Sequence, residues 1–154
     1  MPFFKSFLYS FVVFFISLCY NIIMKIDLSK LVNFNETISV ALSGGCDSMA
    51  LLEFMLSQKE IYGINIVAIN VEHGIRGEES KNDSNFVKDY CKNRKVPLFS
   101  YEIDCISFSK ENSLSIEEGA RALRYNCFFN AIKEGKCNKV ATAHHLSDNF
   151  ESVL

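Results

Sequence analysis

An α/β fold, a parallel sheet with helices on both faces, is predicted by three observations. Short apolar and β-branched runs alternate with stretches of helical spacing along the chain. The runs at 38–42, 64–71 and 139–143 read as buried strands. Each of these is followed by a polar cluster: 43–48, 73–76 and 144–151. In a parallel sheet such clusters meet at one edge, beyond the carboxyl ends of the strands, where ligands bind.

The elements follow in order. Residues 25–36 read as a short helix and turn leading into the first strand, 38–42. A helix follows the glycine turn, with Met49, Leu52 and Leu56 at helical spacing and Ala50, Leu51 and Phe54 beside them. The second strand is 64–71. The second helix spans about 79–94, with Phe86, Val87, Tyr90 and Cys91 as its apolar face, and Val96-Pro97 breaks it. Residues 98–103 form a third strand, and a polar loop leads to Ser115-Ile116-Glu117-Glu118, a capping box that opens the third helix. Ile116, Ala120, Leu123, Cys127 and Ala131 line one face of that helix, and Gly119 inside it costs about 1 kcal/mol against Ala. Residues 139–143 are the fourth strand.

The chain has 154 residues, enough for one domain with a core. Its hydrophobic share of 49% and charged share of 22% are those of a globular protein. A net charge of −2 excludes the basic footprint of a self-sufficient nucleic-acid binder. The six cysteines form no C-x-x-C pair, so they read as reduced thiols of a cytosolic protein.

Residues 1–24 form an apolar segment unlike the domain at 25–154. No charge occurs between Ser6 and Met24, a run just long enough to span a bilayer. A signal peptide with Lys5 as its basic flank is the rival, but no small-x-small cleavage site follows. Leu18 before Cys19 argues against a lipoprotein signal. The preferred reading starts the protein at Met24 and treats 1–23 as upstream sequence. Membrane contact is expected only if 6–24 belong to the protein.

The first cluster is Ser43-Gly44-Gly45-Cys46-Asp47-Ser48. Strand, glycine turn and helix together build a phosphate site, because the turn's N–H groups and the helix N-terminus face the anion. Ser43 and Ser48 add hydroxyls. Asp47 beside a polyphosphate is repulsive unless Mg²⁺ lies between them. The plainer reading is a turn in which Asp47 or Ser48 caps the helix. It is neither a Walker A loop, since no Gly-Lys-Ser/Thr follows, nor a dinucleotide fingerprint, since the third glycine is missing. His73 and Arg76 read either as a solvated turn or as an arginine paired with phosphate or carboxylate. Arg121 and Arg124 share a helix face, where Glu117 can pair with Arg121. His144 and Asp148 share a face if a helix starts there, or Asp148 only favours the helix dipole.

The loop Ser43-Gly44-Gly45-Cys46-Asp47-Ser48 resembles the S-G-G-x-D-S pyrophosphate loop of the N-type ATP pyrophosphatases. Taken with Val71-Glu72-His73-Gly74-Ile75-Arg76, Ser115-Ile116-Glu117-Glu118-Gly119-Ala120-Arg121 with Arg124-Tyr125, and Ala141-Thr142-Ala143-His144-His145 with Asp148 and Glu151, residues from about 30 to 154 resemble the tRNA(Ile)-lysidine synthetases. The resemblance implies a Rossmann-like, adenine nucleotide alpha hydrolase-like sheet. It implies a ligase that adenylates C2 of the wobble cytidine in an isoleucine tRNA with a CAU anticodon. Free L-lysine then displaces AMP. It places Ser43, Gly44, Gly45, Cys46 and Ser48 around ATP and Asp47 on Mg²⁺. His73 and Arg76 fall at the reaction centre, Arg121 and Arg124 on the family's arginine helix, and His144, Asp148 and Glu151 near ATP, metal and lysine. A cytoplasmic location is expected, and a homodimer is left open.

Glu72, Ser147 and Asn149 depart mildly from the family pattern. The family's catalytic domain continues beyond the length of this chain and usually carries C-terminal domains that grip tRNA, so the chain reads as an N-terminal piece, truncated at the C-terminus. Two other readings stand beside the ligase: another PP-loop tRNA-modifying enzyme such as a tRNA thiolase, and an inactive ATP-binding fragment.

Overall fold

The computed structural model describes the backbone of residues 11–14, 27–73 and 78–143, with side chains at 27–73 and 82–143. In chain order the elements are β1 (Phe11–Phe14), β2 (Thr37–Leu42), α1 (Cys46–Tyr62), β3 (Asn65–Glu72), α2 (Glu78–Asn93), β4 (Leu98–Glu102), α3 (Cys105–Glu111), α4 (Ile116–Lys133) and β5 (Lys139–Ala143). A single 3-10 turn, Leu28–Lys30, precedes β2, with Asp27 capping it. The strands form one parallel sheet in the order β1-β5-β2-β3-β4. At its centre Val40 of β2 lies beside Ala68 of β3 and Ala141 of β5.

Both faces of the sheet are buried, as the uninterrupted apolar runs require. Side chains alternate along a strand. Ile66 and Ala68 therefore join one core with Leu51, Leu52 and Met55 of α1 and Val87 and Cys91 of α2. Val67 and Ile69 turn to the other face and meet Phe128 and Ala131 of α4. Each fully buried side chain of Leu or Phe size contributes roughly 1.5–3 kcal/mol. Layers of this kind hold the carboxyl ends of β2, β3 and β5 level with one another.

Four local expectations change. The polar loop expected after β4 is partly the helix α3. Its N-cap is Asp104, whose carboxylate accepts from the Ser107 N–H. Seven residues with Ile106 facing solvent make no apolar stripe, so periodicity could not reveal it. Phe86 is exposed, because α2 meets the sheet through Val87 and Cys91, and its ring stands 5.9 Å from Tyr90 instead. Ile116 is half exposed, since as the first residue of α4 it sits at the rim of the sheet edge rather than over the strands. Leu123 is only partly buried, and Phe128 takes the central place on that face. The capping box at Ser115 is present in full: its hydroxyl accepts from the Glu118 N–H while the Glu118 carboxylate accepts from the Ser115 N–H.

Of the 1–24 segment, β1 runs parallel to β5 with Phe11 beside Val140 and Phe14 beside Ala143. Residues 1–10 and 15–24 lie outside the described residues. Among the described residues no helix is long and apolar enough to cross a membrane. Cys46, Cys91, Cys105, Cys127 and Cys137 are free thiols.

Candidate functional site

The carboxyl ends of β2, β3 and β5 open on a cavity of about 640 Å³, a size that suits a nucleotide-sized ligand. The loop after β2 lines one side with Ser43 and Ser48. The end of β3 supplies Asn70 and His73, and α4 forms the opposite wall with Arg121 and Arg124. Two of the three polar clusters expected at this edge are therefore in contact with one space. Of the third, Thr142 and Ala143 reach the cavity. His144, Asp148 and Glu151 lie outside the described residues, as does Arg76.

The loop is shaped for an anion. Gly44 has φ +86°, a conformation that other residues reach only with strain. A Cβ there would also stand 3.1 Å from the Asp83 Cβ of α2. Gly45 is the N-cap of α1, and no side chain caps that end. The first-turn N–H groups are thus left for a ligand, with the positive end of the helix behind them. The N-cap is therefore Gly45 and not Asp47 or Ser48, the residues to which the plainer reading gives that place.

The serine hydroxyls hold the loop to itself. Ser48 is buried, donates from Oγ to the Gly45 carbonyl at 2.9 Å and accepts from the Ser43 N–H at 3.2 Å. The Ser43 Oγ accepts from the Gly45 N–H at 3.3 Å. Cys46 is exposed, and its thiol donates to the half-buried Asp47 carboxylate at 3.3 Å. Among the described residues no group of three His, Cys, Asp or Glu side chains could hold a metal alone. Asp47 in the first turn of α1 fits instead the mode in which one carboxylate and the ligand's phosphates share a magnesium ion.

A buried hydrogen-bond chain behind the loop was not foreseen. Asn70 donates from Nδ2 to the Leu42 carbonyl at 2.8 Å, and Ser84 of α2 donates to Asn70 Oδ1 at 2.6 Å. It ties the last residue of β2, from which the loop departs, to β3 and α2. The signal available in sequence was one amide in an otherwise apolar run, Ile69-Asn70-Val71.

On the far wall, Arg124 Nη2 lies 3.1 Å from His73 Nε2. Burial, and secondarily the Arg124 charge, push His73 down to about 4 from 6.5. Burial also lowers Arg124, with Arg121 adding to the effect. The Cys105 thiol of α3 donates to the His73 carbonyl at 2.9 Å and fixes the backbone there. Arg121 stands over the Tyr125 ring, 5.7 Å from its centroid, and no ion pair joins it to Glu117 among the described residues. Arg121 and Arg124 thus line one cavity together with Ser43 and Ser48 of the loop that enters α1, an arrangement suited to a polyphosphate.

The sequence model of the PP-loop domain family matches residues 21–154. The chain is 42% identical over 139 residues to a tRNA(Ile)-lysidine synthase of Thermosipho africanus, covering 90% of this chain and 32% of that protein. It is 38% identical over 125 residues to one from Petrotoga mobilis, covering 81% and 40%. A Clostridium tetani relative of the same name is 35% identical over 126 residues, covering 81% and 27%. The chain therefore spans well under half the length of these curated relatives. Among solved structures, it is similar to a U34-tRNA thiolase of Methanococcus maripaludis bearing a 4Fe–4S cluster. The TM-score is 0.65 at 20% identity, covering 78% of this chain and 42% of that one, which shows the fold alone.

Proposed function

The chain belongs to the PP-loop domain family, and from that membership we propose that it is the ATP-using part of an enzyme that forms lysidine in tRNA. The carbonyl oxygen at C2 of a wobble cytidine attacks the α-phosphorus of ATP and pyrophosphate leaves. The neutral amine of free lysine then attacks C2 and AMP departs. The acceptor is an isoleucine tRNA with a CAU anticodon.

One observation carries this reading. Ser43 and Ser48, on either side of the uncapped start of α1 and of a glycine held at positive φ, line the same cavity as Arg124 and Arg121. The loop from Ser43 to Ser48 then surrounds the phosphates with backbone donors. The arginines stabilise charge that develops on them, an effect that is strong where water is excluded. Magnesium shared by Asp47 and phosphate oxygens would offset the repulsion between that carboxylate and the polyphosphate. On the resemblance of their motifs, Arg76 is assigned to the reacting centre, and His144, Asp148 and Glu151 to ATP, metal and the lysine amine. That amine must lose a proton against a free pKa near ~10.4. With a net charge of −2, this chain contacts tRNA at the anticodon rather than gripping its body. The proposed setting is the cytosol.

The test is the fate of labelled lysine. This chain is incubated with ATP, Mg²⁺, radiolabelled lysine and an unmodified CAU-anticodon isoleucine tRNA, with the Thermosipho africanus relative as a control. Label in the tRNA, with AMP release that requires lysine, is the expected result. AMP release indifferent to lysine would favour a sulfur-transfer enzyme of the same family. ATP bound with no lysine transferred would refute ligation by this chain and leave a nucleotide-binding unit.

A further inference from the structure

We propose that Arg124 is a positioning residue that fixes His73 as the neutral imidazole with its proton on Nδ1, so that His73 meets substrate as a hydrogen-bond donor and not as a base. The argument begins with the donor inventory. A guanidinium carries only N–H donors and has no acceptor. At 3.1 Å from Arg124 Nη2, His73 Nε2 must therefore accept. A proton on Nε2 would set two donors against each other. A neutral imidazole has a single ring proton, and it is then on Nδ1.

A doubly protonated ring is disfavoured as well, because it would place two cations in contact at a partly buried site. The depression of His73 toward about 4, caused by burial and by Arg124, has the same sign. Other charged groups near the ring's surroundings are Arg121 and Glu117 on α4 and Glu72 next in sequence, all at the cavity wall. The Cys105 thiol donates to the His73 carbonyl at 2.9 Å and so holds the backbone that carries the ring.

Nδ1 is buried and has no hydrogen-bond partner among the described residues. A buried unpaired donor is uncommon and calls for a reason. His73 lines the cavity with Nδ1 itself covered, so a ligand oxygen that completes the pair must enter past that cover. Phosphate, ribose and pyrimidine-carbonyl oxygens are acceptors of this kind. That assignment of the acceptor rests on the proposed function, whereas the tautomer does not. The consequence is specific: with Nε2 engaged by Arg124 and Nδ1 already protonated, His73 takes no proton from the attacking amine.

The experiment is a two-bond ¹H–¹⁵N correlation spectrum of the full chain labelled in its histidines. His73 is distinguished from His144 and His145 by the signal lost in His73→Gln. The expected pattern is a pyrrole-type Nδ1 and a pyridine-type Nε2, unchanged between about pH 8 and 6. A protonated Nε2, or a cationic ring already present at pH 6, overturns the proposal. Arg124→Met should release the ring to a mixture richer in the Nε2–H form, and Arg124→Lys, which keeps a donor and a charge, should preserve Nδ1–H. An unchanged tautomer in a folded Arg124→Met variant refutes the role of Arg124. The wild-type spectrum decides the tautomer even if that variant fails to fold. A separate ATP titration keeps the two readings apart: no ATP binding would refute the proposed function and leave the tautomer standing.

Discussion

The Ser109 hydroxyl occupies the place that a methyl group on Gly119 would take. That contact presses α3 against the first turn of α4, and it explains a glycine inside a helix that otherwise favours Ala by about 1 kcal/mol. Rotation of Ser109 could clear its Oγ, but its Cβ at 3.1 Å and Cα at 3.4 Å would remain close. Overpacking of this kind costs roughly 1–3 kcal/mol and outweighs the propensity gain. Gly119→Ala should lower the urea midpoint, and Ser109→Gly in the same chain should restore most of it. A stabilised single variant would show that α3 yields easily.

Asn70 is the central member of the chain from Ser84 to the Leu42 carbonyl. Replacing it with Leu keeps the volume and leaves the Ser84 hydroxyl and the Leu42 carbonyl with lost partners in a buried site. Each orphaned group costs about 1–3 kcal/mol. Asn70→Leu should therefore lose more stability in denaturant than Ser84→Ala. The two losses should also be less than additive, because they break one chain. Full additivity in the double variant would mean that the hydrogen bonds act independently.

The strands and the glycine turn are legible because their signals are local. An apolar run ending at Ser43-Gly44-Gly45 declares both the strand and the turn, and the Ser115–Glu118 box declares a helix start. The misses have two physical causes. Periodicity reveals an apolar stripe but not what covers it, so it turns Phe86 and Ile116 inward although each stands about half exposed. Contacts made at long range leave no local pattern. Asn70 meets Leu42 across 28 residues, and Arg124 meets His73 across 51. Arg124 and His73 are each legible as site residues, but their contact is not. α3 fell between these cases, a short helix with a cap and no stripe.

Acid should weaken the fold through His73. Its folded value is pushed down to about 4, while the unfolded chain keeps about 6.5. Between those values the unfolded chain binds a proton there and the folded chain does not, so stability falls as pH drops through that window. Above about pH 6.5 both states are neutral at this residue and it contributes no pH dependence. Urea midpoints at pH 7.5 and 5 check this in wild type and His73→Gln. The variant should lose less between the two pH values, since carboxylates such as Glu118 titrate alike in both chains. Equal losses would place His73 in an ordinary, solvated environment.

Gly44 separates the stability of the fold from the shape of the loop. Ala at φ +86° is strained, and its methyl would meet Asp83 Cβ at 3.1 Å. The core residues of both sheet faces lie elsewhere, so the cost to folding should stay near 1–2 kcal/mol, the range for one strained residue. The cost to ligand should be larger. The strain is relieved by rotating the peptides that flank Gly44, which moves the Gly45 N–H off Ser43 Oγ and reshapes the helix N-terminus offered to the anion. Gly44→Ala should then weaken Mg²⁺–ATP binding at least tenfold while the urea midpoint moves little. Asp47→Ala acts through charge rather than shape. It should abolish the magnesium dependence of ATP binding while leaving the fold intact. Nucleotide affinity unchanged in both variants would remove the loop from the site and leave its walls to α4 and the ends of β3 and β5. Loss in Gly44→Ala with magnesium dependence kept in Asp47→Ala would retain the cradle and assign the metal to other ligands.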